Sequence, residues 1–206
     1  MNIAGYFVYR DLMIMQHPSI EGKFAKLLTE LKPTKVLEIG TSTGGLTLLL
    51  RDILDKNGME TTRLISYDVN DPCYLRHYVN EGSNIELKVE NIFNHQYDKL
   101  ENGQEIIDII TSEGATLVLC DGGSKKNEFR ILSDYLKVGD VIMAHDYAPN
   151  ETYFQEHINN KIWNWWEIQD SDINESCVKN NLAPYMEDDF RQVVWVCKIK
   201  QQLLLQ

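Results

Sequence analysis

The chain has 206 residues, of which 43% are hydrophobic and 25% are charged, and its formal net charge is −11. This composition is ordinary for a globular protein with a sizeable core, and no apolar run approaches the roughly 18–20 residues that a membrane span needs. The acidic balance repels phosphate backbones, so we expect neither nucleic acid nor a membrane as a partner.

The N-terminal segment, residues 1–34, precedes the first predicted strand and is expected to form one or two helices. The clearer helix covers residues 22–31 and ends at Lys32-Pro33. The first sixteen residues contain Arg10 and Asp11 and lack the basic start and small-residue cleavage site of an export signal. We therefore expect a cytoplasmic protein.

Strand-length apolar runs then alternate with stretches of helical period. The predicted strands cover residues 35–40, 63–69, 85–91, 116–123 and 141–147. The predicted helices cover residues 44–58, 73–82, 104–114 and 126–140, with Gly82 and Gly114 ending the second and third. Near-continuous apolar strands joined by helices predict a doubly wound α/β fold, in which a mostly parallel sheet is covered on both faces.

The C-terminal part breaks this alternation. Residues 151–162 are predicted to be a helix, and residues 163–168 and 191–200 are predicted to be strands separated by a long polar loop. These two strands bring the sheet to seven and are expected to close one edge as an antiparallel pair. We expect one domain over residues 1–206, with an N-terminal helical cap (1–34), a ligand-binding core (35–150) and closing strands with substrate-side loops (151–206).

The stretch VLEIGTSTGG, residues 36–45, places an acid and three glycines where the first strand ends. Ligands of open α/β sheets bind at the carboxyl ends of the strands, and Gly40, Gly44 and Gly45 allow a tight turn and close backbone approach. A dinucleotide site would read GxGxxG, whereas this stretch reads ExGxxxGG. The carboxylate of Glu38 suits a ligand with ammonium or sulfonium character better than a pyrophosphate.

Asp68 ends the second strand, where it can accept hydrogen bonds from ribose hydroxyls. Together with Glu38 it describes a nucleoside that carries an amino acid and a positive centre. Each of these residues also has a purely structural alternative. The glycines can serve a turn, Glu38 can pair with a lysine or a helix end, and Asp68 can form a turn before Asn70-Asp71-Pro72. Thr41 and Ser42 can cap the following helix without contacting a ligand.

Polar residues also end the fourth and fifth strands. Asp121 follows the fourth, and His145 and Asp146 end the fifth. Adjacent parallel strands deliver their ends to one edge, so two carboxylates and an imidazole are expected to meet near the glycine turn as a candidate metal site. One alternative is that His145 is a general base without a metal. In the others, Asp121 is a loop residue that only shapes the ligand site, and His145 and Asp146 only bond to backbone.

The stretch VLEIGTSTGG resembles the first motif of class I S-adenosylmethionine-dependent methyltransferases, and the order of elements over roughly residues 20–200 is similar. The segments LCDGG and VIMAHDY look most like the small-molecule O-methyltransferases of the catechol type and the cephalosporin-hydroxylase-like branch. The resemblance implies the same Rossmann-like fold with an antiparallel final strand. It also implies a cofactor site at Glu38, Gly40, Thr41, Ser42, Gly44, Gly45, Asp68, Glu90, Asn91 and Asp121.

In that site the residues of the glycine turn would surround the methionine part, Asp68 would bind the ribose, and Glu90 and Asn91 would lie near the adenine. The resemblance further implies a divalent cation at Asp121, His145 and Asp146. The usual ion is magnesium, but His145 replaces a carboxylate of the pattern, and an imidazole favours manganese, iron or zinc.

The relatives often have a lysine or histidine just after the first acid, which makes Lys125 and Lys126 candidates for orienting a substrate or taking a proton. The alternative for both is a solvated helix start. His145, Asp121 and Lys125 are thus the predicted catalytic residues.

The acceptor side of the site offers several aromatic residues. A pocket could be lined by Trp163, Trp165, Trp166, Tyr185 and Met186, although these residues also suit a sheet-edge core or a homodimer contact.

The sequence therefore predicts S-adenosylmethionine-dependent O-methylation of a small molecule, aided by Mg²⁺ or Mn²⁺. The rivals are an NAD-dependent oxidoreductase, a metal-dependent hydroxylase-like protein and a non-catalytic cofactor-binding module.

Overall fold

A computed structural model describes residues 5–79 and 83–203. The strands found there are β1 (Phe7–Tyr9), β2 (Leu12–Ile14), β3 (Lys35–Ile39), β4 (Arg63–Asp68), β5 (Ile85–Val89), β6 (Thr116–Cys120), β7 (Val141–Ala144), β8 (Leu182–Pro184) and β9 (Val196–Lys200). The α-helices are α1 (Ile20–Leu31), α2 (Gly45–Lys56), α3 (Gln104–Thr111), α4 (Lys125–Leu132), α5 (Glu151–Tyr153), α6 (Asp170–Lys179) and α7 (Glu187–Arg191). In this part of the chain, no helix is both long and apolar enough to span a bilayer.

Seven strands form one sheet in the order β5-β4-β3-β6-β7-β9-β8, and β1 and β2 form a separate hairpin. The pairs from β5 to β7 are parallel, whereas β9 runs antiparallel to both of its neighbours. The chain reverses its direction of travel across the sheet between β3 and β6. The predicted doubly wound sheet with an antiparallel final strand is confirmed.

The central strands are apolar on both faces because each face carries its own core. Val36 packs into a cluster with Phe24, Leu50 and Trp195, while the next residue, Leu37, packs into a second cluster on the opposite face. This alternation is the two-residue period of a strand covered by helices on both sides.

The N-terminal segment differs from the prediction. Only α1 is helical, and β1 and β2 form a hairpin whose two turn residues, Arg10 and Asp11, have φ values of +46° and +65°. Positive φ at both central positions matches the right-handed twist of the flanking strands. The prediction of a purely helical cap was therefore wrong. In β2 the side chains alternate between buried and exposed, and Leu12 and Ile14 are the buried ones.

The helix predicted over residues 73–82 is a single 3₁₀ turn, Leu75–His77, which buries only Leu75. Its predicted end at Gly82 lies outside the described residues.

Three other helices differ in extent from their predictions. Helix α3 ends at Thr111, before Gly114, and α4 covers Lys125–Leu132 and passes into a 3₁₀ turn over Ser133–Tyr135. Helix α5 continues as a π-helix over Phe154–Ile158.

The C-terminal strands also differ. Residues 163–168 form a loop with isolated bridges rather than a strand, and the predicted polar loop contains α6, β8 and α7. Strand β9 therefore pairs with β7 on one side and with β8 on the other, and not with residues 163–168. Strand β9 begins at Val196 because a turn precedes it, in which the amide of Trp195 donates to the carbonyl of Phe190.

Gly40, the residue after β3, lies tightly against the backbone of Asp121, the residue after β6. Its φ is +97°, and a Cβ at this position would lie 2.2 Å from the backbone carbonyl oxygen of Asp121. Such a distance is well inside van der Waals contact, so the approach of these two strand ends depends on the missing side chain.

We predict that Gly40→Ala lowers the free energy of unfolding by about 3 kcal/mol, because it combines positive-φ strain with a backbone clash. Gly139→Ala is the matched control, since Gly139 has φ +90° and nothing within 4 Å of the added Cβ. Urea denaturation of both variants separates the clash from the strain. Equal losses in the two variants would contradict the proposed role of the contact.

Candidate functional site

A cavity of about 170 Å³ opens at the carboxyl ends of β3, β4, β5 and β6. It lies where the strand order reverses, the position at which open α/β sheets bind ligands. Its lining residues are Ile39, Gly40, Ser42, Tyr67, Asp68, Val69, Glu90, Asn91, Ile92, Phe93, Tyr97, Asp121, Gly122, Gly123 and Glu128. Four are acids and, within the described chain, none is a lysine or arginine, so the cavity favours a positively charged ligand over phosphates.

The glycine turn is tied to the end of β4. Ser42 adopts φ +52°, and its backbone amide donates to Oδ2 of Asp68 at 2.8 Å. Oδ1 of Asp68 accepts the amide of Asn70 at 2.8 Å. Asp68 therefore shapes a turn and also lines the cavity, while its binding to a ribose stays a prediction.

The N-terminal hairpin lies directly on this turn. A Cβ on Gly45 would come within 2.6 Å of the carbonyl oxygen of Met13, and the hydroxyl of Thr43 donates to the same oxygen at 2.5 Å. The hairpin and the turn also line a smaller cavity of about 40 Å³, whose walls include Thr41, Gly45 and the residues from Met13 to Gln16. This smaller cavity shares Gly40, Ser42 and Asp121 with the acidic cavity. Gly44 packs against Leu75 instead.

Glu38 lies beneath the turn and is fully buried. Its Oε2 accepts hydrogen bonds from Thr47 and Ser66, both at 2.5 Å, while Oε1 has no hydrogen-bond partner among the described residues. The hydroxyl of Ser66 also lies 2.6 Å from that of Thr41. Burial raises the pKa of Glu38 to about 7, although the hydroxyl donors oppose the shift.

The far end of the cavity is aromatic. Phe93 and Tyr97 stack with ring centroids 5.7 Å apart, beside Glu90 and Asn91. The sequence prediction included Glu90 and Asn91 but missed both aromatic residues. The segment NIFNHQY, residues 91–97, follows the third strand, and its two aromatic residues could have indicated an aromatic wall at this end of the site.

Asp121, His145 and Asp146 do meet. Each offers one ligand atom within 4.8 Å of the others. His145 Nδ1 lies 3.2 Å from Oδ1 of Asp121 and 3.3 Å from Oδ1 of Asp146. Burial disfavours the charged imidazole, but attraction from the two carboxylates outweighs it and raises the pKa of His145.

Asp146 has features that fit a bound cation. Its φ is +56°, an uncommon conformation for a residue other than glycine. Its Oδ1 is buried and, apart from the His145 nitrogen 3.3 Å away, has no polar partner among the described residues. Two carboxylates and an imidazole nitrogen form a donor set that suits Mn²⁺, and Mg²⁺ less well.

Asp121 is oriented by residues that no sequence spacing predicts. Gln16 donates from Nε2 to Oδ2 of Asp121 at 2.9 Å, and Trp195 donates from Nε1 to Oε1 of Gln16 at 2.8 Å. The Trp195 ring also lies 5.0 Å from the imidazole of His145. Residues from both ends of the chain thus hold the first carboxylate in place.

The two candidate lysines have different environments. Lys125 is nearly buried, with Nζ 3.1 Å from Oδ2 of Asp146, whereas Lys126 pairs with Asp172 at the surface of α4. Burial lowers the pKa of Lys125, but attraction from Asp121, Asp146 and Glu167 exceeds that effect and raises it overall. The raised pKa favours the ammonium form, and the proton-accepting role of Lys125 stays a prediction.

A wider, mostly apolar cavity of about 620 Å³ adjoins Asp146 on its other side. Its lining residues are Tyr6, Met15, Asp146, Trp163, Asn164 and Trp165. Of the aromatic candidates, Trp163 and Trp165 lie here, while Trp166 packs edge-on against Phe154 with ring centroids 4.5 Å apart. Tyr185 and Met186 pack against the core instead.

No protein-family model matches the chain, and no curated protein matches it significantly. Among solved structures, the chain is similar to CmcI in its apo form, with a TM-score of 0.66 and 14% identity over 95% of this chain and 76% of that one. For CmcI described with Mg-SAM, the TM-score is 0.62 and the identity 15%, over 94% and 76% of the two chains.

An O-methyltransferase family protein from Burkholderia thailandensis is also similar, with a TM-score of 0.58 and 11% identity over 90% of this chain and 56% of that one. At these identities the likeness establishes the fold. The chain has the Rossmann-like fold of class I methyltransferases, as the sequence motifs predicted.

We predict that Glu38 makes the folded protein less stable as the pH rises from about 4.5 to about 7. In this range the folded state binds more protons at Glu38 than the unfolded state does, because the folded pKa is raised. The loss relative to Glu38→Gln is at most about 3 kcal/mol. Denaturation of both proteins across this range measures it, and parallel curves would contradict the raised pKa.

Proposed function

We propose that this protein is an S-adenosylmethionine-dependent methyltransferase that methylates a hydroxyl oxygen of a small molecule with the help of a divalent cation. The observation that carries the proposal is the meeting of three features at Asp121 and Asp146. The acidic cavity includes Asp121, the candidate metal site includes both residues, and the wide apolar cavity includes Asp146.

The acidic cavity supports the cofactor assignment. Its carboxylates attract a sulfonium and an ammonium group, and they would repel the pyrophosphate of a dinucleotide. Asp68 and Glu90, which line the cavity, would accept hydrogen bonds from a ribose, and the stacked pair of Phe93 and Tyr97 would offer an apolar face to an adenine. The similarity to CmcI described with Mg-SAM is in keeping with this ligand.

Glu38 would influence the bound ligand electrostatically from its buried position under the glycine turn. It does not line the cavity, but its carboxylate, held by Thr47 and Ser66, adds negative potential under the glycine turn. The unpartnered Oε1 makes this carboxylate responsive to a positive group bound above it. Thr41, whose hydroxyl lies within hydrogen-bond distance of that of Ser66, itself lines the smaller cavity and so connects Glu38 with it.

The chemistry follows from these positions. The bound groups would supply an activated methyl on sulfur and a cation that lowers the pKa of an acceptor hydroxyl. Asp121, His145 and Asp146 would hold that cation, and Gln16 keeps Asp121 oriented towards the cluster. In the alternative without a metal, His145 would be the general base that takes the hydroxyl proton.

The acceptor would enter the wide cavity beside Asp146. Trp163, Trp165 and Met15 provide apolar walls that exclude water and orient a ring or chain, while Asn164 offers a polar contact. In-line placement of the attacking oxygen about 3 Å from the methyl carbon supplies much of the rate acceleration. A small-molecule acceptor, a homodimer and a cytoplasmic location stay predictions.

We predict that calorimetry detects binding of S-adenosylhomocysteine and no binding of NADH. Asp68→Asn should weaken this binding about tenfold, because it removes a charged hydrogen-bond acceptor from the ribose site. Asp71→Asn is the control, since the Asp71 carboxylate is exposed and paired with Arg76. Binding of NADH in place of S-adenosylhomocysteine would refute the proposed cofactor.

We also predict that incubation with S-adenosylmethionine and a library of hydroxylated compounds gives products heavier by about 14 mass units, as methyl replaces hydrogen. Asp146→Asn and chelation should each lower turnover at least about 100-fold. Products heavier by 16 units would indicate a hydroxylase-like reaction, whereas binding without any product would indicate a non-catalytic module. Full activity of Asp146→Asn with a chelator present would remove the metal from the mechanism.

A further inference from the structure

The ammonium group of Lys125 occupies the acidic cluster itself. Its Nζ lies 3.1 Å from Oδ2 of Asp146, 3.4 Å from Oε2 of Glu167 and 3.8 Å from Oδ1 of Asp121. It also donates to the carbonyl oxygen of Gly122 at 3.0 Å. The side chain is only 11% exposed, so these contacts form in a largely buried environment.

These acceptors are the type of ligand that a hard divalent cation takes. Three carboxylates and a backbone carbonyl surround one positive charge, and two of the carboxylates, Asp121 and Asp146, belong to the candidate metal site. A divalent ion bound to those two carboxylates would lie within a few ångströms of the ammonium group. The two cations would repel each other strongly at that separation.

Glu167 gives the ammonium group an alternative position. It lies outside the three-residue metal cluster, and its backbone amide donates to the carbonyl oxygen of Asp146 at 2.8 Å, which fixes it beside the site. An ammonium that leaves Asp121 and Asp146 can therefore keep Glu167 and the Gly122 carbonyl as partners.

We propose that Lys125 is a resident cation that competes with the divalent ion for Asp121 and Asp146, and that metal binding displaces its ammonium group towards Glu167. The proposal rests on the metal site of the proposed function. It gives Lys125 a role beyond substrate orientation or proton transfer, because the lysine neutralises the carboxylates before the metal arrives and sets how tightly the metal binds.

Mn²⁺ binding tests this competition directly, measured by calorimetry and by the electron paramagnetic resonance of free Mn²⁺. Lys125→Met should bind Mn²⁺ about tenfold more tightly than the parent protein, because the competing charge is gone. Lys126→Met is the matched control, since it removes the same charge from the next position, where the ammonium pairs with Asp172. Its Mn²⁺ affinity should stay within about twofold of the parent.

Thermal unfolding supplies a second readout. Without metal, Lys125→Met should melt at a lower temperature than the parent because Asp121, Asp146 and Glu167 then lack their buried counter-ion. Saturating Mn²⁺ should restore most of the loss, so the metal-induced rise in melting temperature should be larger than in the parent. A rise no larger than that of the parent would contradict the proposal.

Glu167→Gln covers the case in which Lys125→Met does not fold. Without Glu167 the ammonium has only Asp121 and Asp146 as carboxylate partners, so Mn²⁺ binding should weaken about tenfold. The control is Glu156→Gln, which neutralises an exposed glutamate away from the cluster and should leave the affinity unchanged.

The affinities themselves can also overturn the proposal, either if Lys125→Met binds Mn²⁺ no more tightly than the parent or if Glu167→Gln binds it as tightly as the parent. Failure of Mn²⁺ to bind to the parent would overturn it as well. Binding of S-adenosylhomocysteine, measured separately, shows whether the proposed cofactor site stands even when the competition fails.

Discussion

The carboxylates gathered at one edge of the sheet are the constraint on which the site depends. Asp68, Glu90, Asp121 and Asp146 lie at or near strand ends that a parallel sheet brings to the same side. Glu167 joins them from a loop whose backbone is hydrogen bonded to Asp146. So much negative charge in partly buried surroundings requires compensation. Lys125 provides part of it, and the proposed positively charged ligand and divalent cation would provide the rest.

Close backbone packing is what concentrates these charges. Gly40 allows the end of β3 to contact the backbone of Asp121, which brings the glycine turn and the candidate metal site together. The N-terminal hairpin then lies on the turn, and Gln16 links it to Asp121 and Trp195. The proposed nucleoside cavity, the candidate metal cluster and the apolar cavity are connected through Asp121 and Asp146, so they form one arrangement rather than three separate sites.

Much of the core of this arrangement could be predicted from the sequence, because it depends on local signals. Apolar runs of strand length, helical periods and the glycine turn gave the five parallel strands and the position of Asp68, Asp121, His145 and Asp146 at their ends. The terminal segments could not be predicted in the same way. Leu12 and Ile14 are two residues apart, but the stretch that shows this period is too short to distinguish a hairpin from a helix. The pairing of β8 with β9 depends on contacts across the sheet edge.

The sequence by itself determined the doubly wound fold and the identity of the acids at the strand ends, since both follow from residue type and spacing along the chain. Only the tertiary structure decided what each acid contacts. It placed Glu38 below the cavity instead of in it, aligned Gln16 and Trp195 behind Asp121, and put Lys125 rather than Lys126 among the carboxylates. The physical reason is that such contacts join residues far apart in the chain, so their distances are set by packing and not by sequence separation.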